Sequence, residues 1–185
     1  MAGNDFLLFI GAYTQSEGLG IGLARFDADT GTLTTPELAA ELVNPSFVAL
    51  DPSLSHLYAV TEIDDYKSKF SGALSSFAVD RISGELTFLN RQPTNGPGPC
   101  FVSVDAKGQN AVVANYNGGS VAVLPINDDG SLEPLSDFVQ HEGAARVVSD
   151  RQEGPHAHSA NLDLETSRVY VNDLGLDRIK SYDLD

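Results

Sequence analysis

One segment occurs three times in this chain. It reads Asn44-Pro45-Ser46-Phe47-Val48-Ala49-Leu50-Asp51, then Gly98-Pro99-Cys100-Phe101-Val102-Ser103-Val104-Asp105, then Gly154-Pro155-His156-Ala157-His158-Ser159-Ala160-Asn161-Leu162-Asp163. Self-similarity at a long, nearly fixed period restricts the fold to arrays of one supersecondary unit. A second apolar run follows each Asp: Leu57 to Glu62, Ala111 to Tyr116, Val169 to Leu174. A third run alternates apolar and polar residues, as half-buried strands do: Ala73 to Asp80, Ser120 to Asn127, Arg178 to Asp183. Tight turns come next, at Asp29-Thr30-Gly31, Ile82-Ser83-Gly84 and Asp129-Gly130-Ser131. Their glycines supply the positive φ that hairpins need. A short fourth run closes each unit. Glu37 to Leu42, the nearest approach to an amphipathic helix, is short and occupies a fourth-strand slot.

The unit is therefore four short antiparallel strands, and the predicted fold class is all-β, a β-propeller. Propellers close with roughly 4 to 8 such blades. The chain is expected to start on a second strand and end on a third. Residues 1–185 then form a single domain, a partial β-propeller of two complete blades flanked by two incomplete ones. Such an arc exposes sheet edges that invite self-association. The expectation is a fragment of a longer protein, or copies that associate to close a ring.

Composition narrows the function classes. Hydrophobic residues make up 42% of the chain, enough for a packed core. Cys100 is the one cysteine, so no intrachain disulfide can form, which suits a reducing compartment. The apolar run Phe6 to Ile10 is too short for a signal segment and nothing reaches the length of a membrane span. A soluble, cytoplasmic protein is expected. A net charge of −15 argues against nucleic acid and anionic membranes as partners. An anionic small-molecule substrate would need local arginines to hold it. The lysine-poor acidic composition also suits high salt.

Several stretches together resemble the lactonase-type seven-bladed β-propellers, which include propeller 6-phosphogluconolactonases and carboxy-muconate lactonizing enzymes. They are Gly11-Ala12-Tyr13-Thr14, Asn44-Pro45-Ser46-Phe47, Gly98-Pro99-Cys100, Ala114-Asn115-Tyr116, Arg151-Gln152-Glu153-Gly154-Pro155-His156-Ala157-His158 and Asp173-Leu174-Gly175-Leu176-Asp177-Arg178. The resemblance covers the amino-terminal half of the family and implies about half of a seven-bladed ring. It implies hydrolysis of a sugar-acid lactone, with 6-phosphogluconolactone as the foremost substrate. It leaves open a cycloisomerase acting on a carboxylated muconate, and a propeller that only binds.

Within that frame the third copy is the candidate site. Pro to Asp spans six positions in the first two copies and eight in the third, and the added length coincides with His-Ala-His. His156 and His158 are two apart, so on an extended strand they share a face. With Glu153 they are the candidate catalytic residues, since imidazole and carboxylate can accept or donate the proton that water attack requires. Arg151 and Arg178 are candidates for binding an anionic group through their planar forks. Asn115, Tyr116 and Asp173 are placed as substrate-binding residues of the channel mouth. Asp173 shares its slot with Thr61 and Asn115, which also suits a bond that holds the loop. Glu62 is expected near the mouth, Tyr13 is expected to pack between blades, and Cys100 to be small and buried. No cofactor is expected. His-Ala-His alone does not specify a metal, although a divalent metal held by His156, His158 and nearby acids stays open.

Overall fold

The computed structural model describes residues 5–14, 20–163 and 165–184. Among them there is no helix. Four antiparallel sheets follow one another along the chain. The first holds β1 (Asp5–Ile10), β2 (Gly20–Asp27), β3 (Thr32–Leu33) and β4 (Glu37–Glu41). β3 and β4 both pair with β2 and form one outer strand broken before Pro36, which has no N–H to give to the ladder. The second sheet is β5 (Val48–Leu50), β6 (His56–Thr61), β7 (Ala73–Val79) and β8 (Leu86–Pro93). The third is β9 (Pro99–Val104), β10 (Asn110–Asn115), β11 (Ser120–Pro125) and β12 (Asp137–Gln140). The fourth is β13 (Ala157–Asp163), β14 (Arg168–Asp173) and β15 (Arg178–Asp183).

The strand period explains the packing. β6 sends Leu57 and Ala59 to one face, where they join Ile21, Leu42 and Phe77. It sends Tyr58 and Val60 to the other, where they join Val102, Ala111 and Val113. β10 repeats the division, because Val112 and Ala114 pack instead with Ala157, Ala160 and Val171. Three apolar seams thus join four sheets face to face. A strand buried on both faces reads as a continuous apolar run, as β6 and β10 do. β14 packs on one face only: Val169 and Val171 are buried while Arg168, Tyr170 and Asn172 are exposed.

The recurring aspartates are turn devices. Oδ1 of Asp51 accepts from the backbone N–H of Ser55 and His56 at 2.9 and 3.0 Å. Asp105 does the same for Lys107 and Gln109, and Asp163 for Glu165 and Thr166. Asp27 and Asp80 secure the outer hairpins in this way too. Side-chain acceptors of this kind replace the ladder where the chain reverses.

The backbone corrects the reading of the third copy. In the last three sheets the N–H that follows the second strand reaches back to one residue of the leading loop: Glu62 to Asn44 O, Tyr116 to Gly98 O, Leu174 to His156 O. Asn44, Gly98 and His156 are therefore equivalent, and Ala157, not Pro155, matches Pro45 and Pro99. From those positions to the Asp the spacing is the same in all copies. The proline has moved two places upstream, and no residues are inserted within the strand. His158 consequently fills the slot of Ser46 and Cys100.

Candidate active site

His156 lies just before β13, fixed at four points. Its N–H donates to Asp173 Oδ1 at 2.9 Å, and its carbonyl accepts from Leu174 N–H at 3.0 Å. Its Nδ1 is 3.1 Å from the Tyr116 carbonyl. A carbonyl only accepts, so Nδ1 carries the proton and Nε2 is the working nitrogen. The ring stacks on Tyr116, centroids 4.6 Å apart at 18°. Glu153 Oε1 stands 3.4 Å from His156 Nε2.

His158 sits at a β-bulge, where the pairing of β13 with β14 slips between Ala157 and Ser159. The shared face expected from simple alternation is therefore not what joins the two histidines. Both meet Tyr116 instead, His158 by its edge with centroids 5.6 Å apart. Bulges re-aim side chains in this way. The third sheet has a bulge at the equivalent Cys100, between Ala114 and Asn115.

Arg151 donates from Nη2 to the Tyr116 hydroxyl at 3.0 Å. With His158, Asn172, Asp177, Arg178 and Ile179 it lines an open hollow of about 560 Å³, within the roughly 300 to 1,000 Å³ usual for small-molecule sites. Tyr116 is the common contact of Arg151, His156 and His158. The loop carrying Arg151 is clamped by the buried Gln152, whose Oε1 accepts from Val147 and Val148 N–H and whose Nε2 donates to the Leu174 carbonyl.

The Glu153 carboxyl is held below its ordinary value, first by a backbone hydrogen bond and then by His156 and Arg151. It is ionised and weakly basic at neutral pH. A general base works best with a pKa near the operating pH, so this carboxylate suits pairing with an imidazolium better than taking protons from water.

Asn115 and Asp173 are buried side chains, and Asp173 is also among the residues that line the hollow. Asn115 is fully buried and donates to Ser120 Oγ at 3.1 Å. Asp173 Oδ1 also accepts from Leu176 N–H at 2.9 Å, and Oδ2 meets His141 Nδ1 at 2.5 Å. His141 is a residue that sequence reasoning passed over. Tyr13 is not packed between sheets: it is 58% exposed and gives its hydroxyl to both oxygens of Glu62, which also accepts from Ser46. Cys100 is half-buried, its Sγ 3.3 Å from the His158 carbonyl. Among the described residues no group of three or more His, Cys, Asp or Glu side chains converges to hold a metal ion. No helix among them is long and apolar enough to cross a membrane.

Sequential antiparallel sheets of three or four strands packed face to face, with a hollow that carries His158, Arg151 and Arg178 beside Asp173 and Asp177, define an arc of a β-propeller. The family model described as lactonase, seven-bladed β-propeller, matches residues 7–185, and the chain belongs to that family. A 6-phosphogluconolactonase of Bacillus subtilis is 37% identical over 97% of this chain and 49% of its own length. A crystal structure of a candidate 6-phosphogluconolactonase from Bacteroides fragilis superposes with a TM-score of 0.90 at 34% identity, covering 98% of this chain and 49% of that one. A periplasmic gluconolactonase of Pseudomonas aeruginosa superposes at 0.86 with 32% identity, over 97% of this chain and 50% of that one. The chain spans about half the length of the curated relatives it matches.

Proposed function

We propose that the hollow hydrolyses a sugar-acid lactone, with 6-phosphogluconolactone as substrate. The observation that carries the reading is the grouping of His158 with Arg151 and Arg178 on one open surface, beside the Tyr116–His156 stack. Two relatives that align with nearly the whole chain carry lactonase names, which supports the same reaction.

His158, exposed in the hollow, takes a proton from water as the water oxygen attacks the lactone carbonyl. One arginine faces the developing oxyanion and the other the phosphate; fixed donors aimed at developing charge are the largest source of acceleration in acyl transfer. The tetrahedral intermediate expels the ring oxygen, which takes a proton from protonated His156, whose Nε2 stands 3.4 Å from Glu153 Oε1. The product is the open hydroxy acid, and solvent returns the proton from His158 to His156. General acid–base help of this kind contributes roughly 10² to 10⁴ in rate. These steps use the chain's own side chains, so activity should survive chelation.

The test is hydrolysis of 6-phosphogluconolactone by the purified protein, followed by release of the open acid. A rate above the spontaneous one, lost in His158→Ala, supports the reading. No acceleration in the intact protein, or ring formation from a carboxylated diene instead, overturns it.

A further inference from the structure

The repeats provide an internal comparison at the junctions between sheets. Leu42, Thr94 and His141 are equivalent, since each follows the outer-strand residue paired with the first residue of the third strand: Glu41 with Gly20, Pro93 with Ala73, Gln140 with Ser120. Thr61, Asn115 and Asp173 are equivalent because they pair with Ala73, Ser120 and Arg178, the first residues of their own third strands. All six are buried. The first two junctions are built from Leu42, Thr61, Thr94 and Asn115, none of which ionises. The third places an imidazole against a carboxylate, both side chains fully buried. These buried slots are filled elsewhere without ionisable groups, and an ionisable pair is costly to bury. The exception occurs at the junction that supports the candidate site.

The geometry shows what the pair does. Asp173 Oδ2 accepts from His141 Nδ1 at 2.5 Å, while Oδ1 accepts from His156 N–H and Leu176 N–H, each at 2.9 Å. His141 Nε2 is 3.0 Å from the Tyr182 hydroxyl. With Nδ1–H committed to the carboxylate, Nε2 accepts from the phenol. One carboxylate therefore ties the loop before β13, the turn between β14 and β15, and the end of the neighbouring sheet's outer strand. Through the imidazole it also reaches β15. A fully paired buried network of this kind fixes one arrangement of the groups it joins.

We propose that the buried pair Asp173 and His141, with the partly buried Tyr182 behind it, forms a positioning unit that sets the His156 backbone, and with it the two imidazoles around Tyr116, for the reaction at the hollow. This rests on the lactonase reading for its kinetic consequence but not for its structural one. None of the three touches substrate in this scheme.

The experiment is the double variant His141→Thr/Asp173→Asn, which rebuilds the third junction with the side chains of the second, Thr94 and Asn115. Its first readout is the NMR shift of the His156 ring protons, displaced upfield in the parent by the stacked Tyr116. Loss of that displacement, with amide signals of the first two sheets unchanged, supports the unit. A retained displacement in the folded variant overturns it, whether or not the protein turns over a lactone. The second readout is kinetic. With lactonase activity established in the parent, kcat should fall about 10²-fold, the loss expected for a misplacement near 1 Å, with KM within about twofold. An unchanged kcat overturns the unit, whereas absent parent activity overturns only the lactonase reading. If the double variant does not fold, His141→Asn, which keeps an N–H for Asp173, must retain more of the His156 displacement and of kcat than His141→Leu. Equal losses in the two would refute the unit.

Discussion

Gly175→Ala should disable the candidate site without touching any group assigned chemistry. Gly175 lies in the turn between β14 and β15, and its φ is not in the left-handed region. Its requirement is proximity: a Cβ there would stand 1.7 Å from the Gly154 carbonyl oxygen and 3.0 Å from His156 N. The turn itself does not exclude a side chain, because the third sheet carries Asn117 at the same place in a turn of equal length. Relief to the roughly 3.3 Å of a close C–H···O approach needs a backbone retreat of about 1.6 Å. The retreat falls on Gly154–His156, where the bond from His156 N–H to Asp173 is 2.9 Å and cannot stretch that far. Overpacking of this order costs about 1–3 kcal/mol, or about 2–12 °C in Tm at this chain length. Displacing the imidazole by an ångström or more should lower kcat/KM by about 10²-fold. Thermal unfolding and initial rates on 6-phosphogluconolactone measure the two effects. A variant with parental Tm and parental kcat/KM would refute the claim that the two loops meet backbone to backbone and that this contact places His156.

Arg151→Ala and Arg178→Ala should each lower kcat/KM on a phosphorylated lactone about 10- to 150-fold, the equivalent of one charged hydrogen bond of about 1.5–3 kcal/mol. One of the two should affect an unphosphorylated lactone far less, and equal losses on both substrates for both variants would remove the assignment of an arginine to the phosphate. Asp51→Ala tests the turn device through pH. Burial pushes the Asp51 carboxyl up, but the hydrogen bonds of Ser53, His56 and Ser55 outweigh it and leave it below its ordinary value. A carboxyl lowered on folding adds stability above the unfolded value, about 3.9, and loses it as pH falls through the folded one. The Tm gap between parent and variant should hold above about pH 5 and shrink toward pH 3; a gap unchanged at pH 3 would contradict this account. Burial, and then the nearby Glu62 carboxylate, push the Cys100 thiol up to about 12. Iodoacetamide at pH 8 should therefore label the folded protein at least about 10²-fold more slowly than the unfolded one, since only thiolate reacts, and rapid labelling of the native state would disprove it.

The parts of the fold legible in the sequence were those set by local periodicity. β6 and β10 announced themselves as apolar runs because both faces are buried, and the outer turns did so through Gly31 and Gly84, whose positive φ these hairpins use. Matching proline to proline misled, because proline marks a strand's start only where the backbone partner agrees. In the fourth sheet that partner is His156, so the apparent insertion was a displaced proline. Tyr13 could not be placed from its neighbours in sequence, since its partner Glu62 belongs to the next sheet. His141 was invisible for the same reason: its meaning lies in Asp173, which is 32 positions away.

The signal for His141 was nevertheless present, across the repeats rather than along the chain. The slot after each outer strand holds Leu42, Thr94 and His141, and the end of each second strand holds Thr61, Asn115 and Asp173. At the junction with the fourth sheet both slots become ionisable at once, and one sheet's outer strand is thereby coupled to the next sheet's loop. A propeller repeats its packing problem at every junction, so a buried residue type that the other copies manage without needs a reason beyond packing. By the same test Ser46, Cys100 and His158 occupy one slot, bulged at Cys100 and His158, and only His158 brings an imidazole, the side chain that carries protons near neutral pH. Slot by slot, the groups that hold the sheets together thus separate from those placed for chemistry. On the proposed lactonase reading, His158 and the Asp173–His141 pair fall in the second group, on independent slots of the same sheet junction.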